Sequence, residues 1–212
     1  TYHRFKTTHT FPNFDFFKKI FVEQLEFEGV DQTIRQTVLS KLETLEKWYI
    51  KTSQNPIIPI YLEKKFRVDL PCGVKFSGQF DKVEIISKKD RTVKIIDYKT
   101  GKPDHHIKNI DNFPDINDEN CDDYLRQLIA YKLLFEKNNR EYKVLYGELV
   151  FIEPAKTTVK KYNLQSGEFI NKTVTISEKM VNDLEKIIDQ TWHRIKNFEF
   201  EKLPDYDDKK CK

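Results

Sequence analysis

Apolar residues along the chain change spacing several times, and the changes mark out the elements. Between positions 14 and 27, Phe17, Ile20, Phe21 and Leu25 recur at helical spacing after the start signal Pro12-Asn13, which predicts an amphipathic helix. A second helix is expected after Gly29, with Asp31 as its N-cap, because Ile34, Val38, Leu42, Leu45 and Tyr49 form one continuous stripe. Asn55-Pro56 and Pro59 end the helical region. From Ile60 the period falls to two. Ile60, Leu62, Phe66, Val68 and Leu70 are assigned to one face of a strand, and Glu63, Lys65, Arg67 and Asp69 to the other. Pro71-Cys72-Gly73 reads as a turn, followed by a long strand over 74–86 and a third over 92–99 that stops at Gly101-Lys102-Pro103.

Residues 104–123 contain two histidines and several Asp and Asn with no sustained period, and are expected to form a long surface loop. The next helix, over 124–137 with Asp122 or Asp123 as its cap, is apolar on most sides and should pack between other elements. Strands are predicted over 143–153, 157–164 and 169–176. A last helix, capped by Ser177, carries Val181, Leu184, Ile188, Trp192 and Ile195 at helical spacing and ends near Asn197. This order predicts an α/β fold, a central mixed β-sheet flanked by helices. One compact domain is expected, with an N-terminal helical segment over 1–55 ahead of a core over 56–212.

Composition narrows the class without naming a ligand. With 33% charged and 38% hydrophobic residues and six glycines, the chain is globular rather than disordered, and no apolar run approaches a membrane span. A net charge of +3 does not mark a nucleic-acid binder, so any basic surface must be local. The opening Thr1-Tyr2-His3-Arg4-Phe5 has neither an initiator Met nor a signal-type segment, and a piece of a longer chain is expected. Three cysteines with no close pair argue against a disulfide framework and fit a reducing cytoplasm. Cys211 near the end is at most one member of a cluster, so an iron–sulfur centre is not supported.

The candidate chemistry lies in Gly78-Gln79-Phe80-Asp81-Lys82-Val83-Glu84-Ile85-Ile86 and Thr92-Val93-Lys94-Ile95-Ile96-Asp97-Tyr98-Lys99. If Lys88-Lys89-Asp90 forms a three-residue hairpin loop, Ile85 falls opposite Val93, Val83 opposite Ile95 and Asp81 opposite Asp97, all on one face. A register slip of one residue would move Asp81 to the other face, and the alternative is that these are ordinary surface residues. Lys99 alternates onto the same face as Asp97. Two carboxylates held across a hairpin repel unless a cation or proton lies between them, and oxygen-only ligands suit Mg²⁺ or Mn²⁺. Such an ion lowers the pKa of water and polarises a phosphate, with Lys99 beside it, which is the chemistry of phosphodiester hydrolysis.

The ordered set Gly78-x-x-Asp81, Asp97-Tyr98-Lys99-Thr100-Gly101 and Gln127-x-x-x-Tyr131 resembles the motifs of RecB-like nucleases of the PD-(D/E)XK superfamily, as found at the C-termini of UvrD/RecB-type helicases. The resemblance spans roughly 60–200. It implies a restriction-endonuclease-like core and a metal-dependent DNA nuclease, with Asp81, Asp97 and Lys99 catalytic. It also implies metal ligation by Asp81, Asp97 and the Tyr98 carbonyl, and contact of Gln127 and Tyr131 with DNA. Phe80 stands where the superfamily name has Pro, Lys82 where Arg is usual and Glu84 where Asp is usual. The upstream Gly-x-x-x-His motif is incomplete. His3 is better placed than His9 to supply its ligand. Glu63 resembles a recurring first-strand glutamate.

Lys82, Lys102, Lys108 and Arg126 are candidate phosphate contacts, and Tyr98, Tyr124 and Phe113 candidate stacking partners for unpaired bases, each with solvated or packing roles as the alternative. His105 and His106 are expected to be solvent-exposed. The expected partners are DNA, single-stranded or unwound, and a helicase in cis or in trans, with no membrane. A catalytically inactive nuclease fold that anchors DNA for a helicase is the alternative. A relative of the CRISPR-adaptation nucleases would call for a cysteine cluster of which Cys211 is one possible member.

Overall fold

The computed structural model describes residues 2–199. Four helices come first: α1 (Tyr2–Thr8), α2 (Phe14–Phe27), α3 (Gln32–Leu39) and α4 (Leu42–Thr52). Strands β1 (Tyr61–Asp69), β2 (Lys75–Ser87) and β3 (Thr92–Lys99) follow, then α5 (Pro103–Asn112), α6 (Asp123–Asn138), β4 (Lys143–Phe151), β5 (Asn171–Thr175) and α7 (Glu178–Lys196). The strands form one mixed sheet in the order β1-β2-β3-β4-β5, antiparallel except where β3 and β4 run parallel. That parallel pair requires a crossover, and α5 and α6 supply it.

Helix α6 explains why one sheet face is almost wholly apolar. Leu125, Leu128, Ile129, Leu133, Leu134 and Phe135 are buried against Phe80, Val83, Val93, Ile95, Leu149 and Phe151. The approach is close because Gly78 and Gly147 lie beneath it. A Cβ at Gly147 would stand 2.8 Å from Leu128 Cδ2, and one at Gly78 would stand 2.9 Å from Leu134 Cδ1. The other face is covered by the N-terminal helices, with Trp48 and Tyr49 of α4 packed on Ile96 and Val150 and joined by Phe11, Phe14 and Phe17. Helices on both faces of a mixed sheet make the α/β core that the element order predicts.

Several expectations are corrected. The stripe from Ile34 to Tyr49 belongs to two helices, because the chain turns at Ser40-Lys41, where the Lys41 N–H bonds to the Val38 carbonyl three residues back instead of four. Residues 104–123 are not one long loop: α5 starts with Pro103 at its first turn and buries Ile107 and Ile110. Residues 157–164 form no strand, only a bridge between Val159 and Leu164 around a short 3₁₀ turn. In β1, Tyr61 rather than Leu62 joins Phe66 and Val68 in the core.

The β2–β3 hairpin keeps the predicted register by a different route. Its loop has four residues, Ser87 pairs with Thr92, and a bulge at Ile86 restores Ile85 opposite Val93 and Val83 opposite Ile95. Pairing is recorded as far as Lys82 and Ile96. Beyond this point alternation in β2 breaks. Val83 and Ile85 pack in the α6 core, and so do Phe80 and a Cβ placed on Gly78, although strict period two would turn 78 and 80 the other way. The break lies at Asp81, across from Glu63 in β1, whose φ of 47 is left-handed. No helix of the described residues is long and apolar enough to cross a membrane.

Candidate active site

The break in β2 sets how Asp81 meets β3. Its carboxylate lies between the strands, where Oδ2 accepts a hydrogen bond from the Tyr98 backbone N–H at 2.7 Å. The N–H and C=O of one residue in an extended strand point to the same side, so the Tyr98 carbonyl is also directed toward Asp81. The expected simple opposition of two aspartates on one face is thus corrected to an in-plane Asp81 beside a face-on Asp97. Burial raises the Asp81 pKa above the ordinary carboxylate value, as do the charges of Asp97 and Glu63, while the Tyr98 N–H and Lys99 oppose the rise.

Asp97 is 3% exposed and sits at the floor of the site. Its Oδ1 accepts from the Tyr131 hydroxyl at 3.3 Å and from Gln127 Nε2 at 3.4 Å. Its Oδ2 is buried and lies 2.5 Å from Lys99 Nζ, with no other donor aligned on it among the described residues. Lys99 Nζ also donates to Gln127 Oε1 at 2.5 Å, and Gln127 Nε2 bonds to the Tyr131 hydroxyl at 2.7 Å. Spacing four apart on α6 brings Gln127 and Tyr131 onto one face, as expected, and here that face is turned to Asp97 and Lys99. Burial and the neighbouring Asp97 charge push the Tyr131 phenol up to about 12, so it stays protonated and donates to the carboxylate.

The raised Asp81 pKa carries a stability consequence. The folded protein binds this proton more tightly than the unfolded chain does, so the group weakens the fold as pH rises from the ordinary carboxylate range through its raised value. Asp81→Asn, measured by thermal unfolding in EDTA, should therefore melt higher than wild type at pH 7–8. The gap should close near pH 4. Equal melting at both pH values would contradict a buried Asp81 whose pKa is raised by its surroundings.

The remaining candidates separate. His3 is exposed on α1, and its neighbour Tyr2 packs on Lys82, on the face away from α6, so no contact brings His3 to Asp81 or Asp97 among the described residues. His9, left-handed at the end of α1, is likewise exposed. Lys82 is 5% exposed and belongs to an ion-pair ladder on that far face, buried at its Lys82–Glu84 end: it pairs with Glu84 at 2.9 Å, Glu84 with Lys94 at 3.2 Å, and Lys94 with Glu148 at 2.8 Å. It is not available to a phosphate. Arg126 is occupied by the Cys121 and Asp118 carbonyls and by Asp123. Lys102 is exposed and Lys108 half-buried.

Tyr98 and Tyr124 are not open stacking platforms. The Tyr98 ring packs edge-on against Trp48, and burial raises its pKa. Tyr124 is stacked on His106. His106 is neither in a loop nor free: its Nδ1 lies 2.9 and 3.1 Å from the two oxygens of buried Asp122. Sequence reasoning missed this pair, although Pro103 could have marked the helix that places His106. Glu63 accepts from Gln79 Nε2 at 2.9 Å at the site's edge. Cys72 and Cys121 are free thiols, and Cys211 lies outside the described residues.

Among the described residues, no group of three or more His, Cys, Asp and Glu side chains is arranged to hold a metal ion. The donors present nevertheless fit a hard divalent cation. They are two close carboxylates and a backbone carbonyl, and the buried Asp97 Oδ2 has only an ammonium for company.

No curated protein matches the chain. Among solved structures that match is one described as a candidate exonuclease from Eubacterium rectale, at 13% identity and a TM-score of 0.39. The match covers 78% of this chain and 54% of that one, so this chain spans about half its length. The sequence profile of the PD-(D/E)XK nuclease superfamily matches residues 8–212, nearly the whole chain, and by this measure the protein belongs to the PD-(D/E)XK nuclease superfamily.

Proposed function

We propose that the chain is a metal-dependent deoxyribonuclease of the RecB-like type, with Asp81, Asp97 and Lys99 at its centre, serving as the nuclease module of a helicase-nuclease in DNA repair or recombination. The observation that carries the active-site reading is the convergence of three separate motifs: Asp97 and Lys99 from β3 interlock with Gln127 and Tyr131 from α6 through one set of side-chain contacts, and Asp81 from β2 joins them at the backbone, accepting from the Tyr98 N–H between its two β3 neighbours. The helicase connection rests on the motif resemblance alone.

In this reading Asp81, Asp97 and the Tyr98 carbonyl hold Mg²⁺ or Mn²⁺. When bound, the ion supplies Lewis acidity toward water and the scissile phosphate. Lys99 presents its Nζ to the developing negative charge. Gln127 aims Lys99, and Tyr131 holds Asp97 through Oδ1, leaving Oδ2 directed at Lys99. The DNA contact that the motif resemblance implies for Gln127 and Tyr131 has little surface to use at Tyr131, which is 8% exposed, so in this reading the pair positions Asp97 and Lys99, and Lys102 and Lys108 are the remaining basic candidates for a phosphate.

The test is cleavage of single- and double-stranded DNA by the chain with Mg²⁺, with Mn²⁺ and with EDTA. Cleavage that requires the divalent ion is the expected result. One observation favours a second reading, an inactive DNA-binding module: no third acidic or histidine side chain completes the pair of aspartates among the described residues. Salt-sensitive DNA binding with no turnover under any metal would decide for it.

A further inference from the structure

Lys99 has a third neighbour besides Asp97 and Gln127. Its Nζ lies 3.9 Å from the centroid of the Tyr124 ring, near enough for a cation–π contact. That ring is stacked on His106, with centroids 3.9 Å apart and planes at 23°. His106 is fixed in turn by Asp122, which also caps α6 by accepting from the Tyr124 backbone N–H at 2.9 Å. One buried carboxylate therefore fastens both the imidazole and the backbone of the residue whose ring lies under the ammonium.

We propose that Tyr124 is a positioning residue for Lys99, its π face holding the ammonium at the site, and that the Asp122–His106 pair holds the Tyr124 ring. A lysine on a flexible four-carbon stem needs such constraint to keep one geometry. Asp97 and Gln127 cannot supply all of it, because Asp97 is also the carboxylate assigned to the metal. The Tyr124 face makes no such second demand. This inference rests on the reading of Lys99 as the ammonium that stabilises charge in DNA cleavage.

Steady-state cleavage of DNA with Mg²⁺, run on wild type, Lys99→Ala, Tyr124→Phe, Tyr124→Leu and His106→Ala, separates the two. Tyr124→Phe keeps the π face and should hold kcat within about twofold of wild type. Tyr124→Leu keeps apolar bulk without the π face and should lower kcat about tenfold with KM within about twofold. His106→Ala, which removes the support but not the ring, should lower kcat about threefold with KM unchanged. Tyr124→Leu turning over like Tyr124→Phe overturns the proposal, as does a raised KM at unchanged kcat, which would make Tyr124 a substrate contact. Should the leucine variant not fold, wild-type turnover by His106→Ala overturns it independently. Lys99→Ala cleaving like wild type would instead sink the active-site reading, and the inference with it.

Discussion

Asp97→Asn is expected to lower metal-dependent DNA cleavage by about a thousandfold or more, and Lys99→Ala by a comparable factor. Asparagine keeps the shape of Asp97 and an oxygen for the Tyr131 hydroxyl, but it removes the negative charge that meets Lys99 at 2.5 Å and that the proposed ion would need. Both residues are largely buried, so water cannot replace what is lost. Lys99→Ala leaves the carboxylates in place and removes only the ammonium, which makes the two variants complementary. Single-turnover rates, read beside thermal unfolding, check the expectation. Rates within tenfold of wild type in well-folded variants would show that neither residue takes part in the chemistry.

Phe80→Ala should cost about 3–5 kcal/mol of stability, a large part of the roughly 5–15 kcal/mol that holds a domain folded. The ring is wholly buried, with centroids 4.9 Å from Phe66 and 4.8 Å from Tyr131. It occupies the position next to Asp81 where the superfamily name has proline, and the break in alternation turns it into the core. Denaturant unfolding followed by tryptophan fluorescence measures the loss. A loss below about 1 kcal/mol would mean that the ring is not packed as described. The edge-on contact with Tyr131 adds a second consequence: the cavity lies beneath the residue that holds Asp97, so activity should fall in the variant at temperatures where it is still folded.

The parts of this fold that were legible are those where a hydrophobic period is tied to a face. The β2–β3 register could be read because Val83, Ile85, Val93 and Ile95 all seek the same core, and a slip would expose all four. The bulge at Ile86 and the four-residue turn left that register intact, so an incorrect loop length did no harm. The same alternation assigned Lys82 and Glu84 to the opposite face, which already argued against Lys82 as a phosphate contact.

Other features had no local mark. Nothing near Glu63 demands a left-handed backbone, so the break that turns Phe80 inward and lays Asp81 between the strands comes from tertiary packing. Beyond Pro103 at its start, helix α5 buries only Ile107 and Ile110 among polar neighbours, a weak period that Pro103 alone could have strengthened. The turn at Ser40-Lys41 contains neither glycine nor proline, and the apolar stripe runs straight through it. The link from Asp122 through His106 and Tyr124 to Lys99 joins two helices and a strand, and no spacing rule reaches across elements.

The central claim is that Asp81 and Asp97 jointly hold a divalent cation beside Lys99, and Mn²⁺ binding followed by electron paramagnetic resonance tests it without depending on turnover. Wild type should take up Mn²⁺, and Asp81→Asn and Asp97→Asn should each bind it at least about tenfold more weakly. Equal uptake by wild type and both variants would contradict the account.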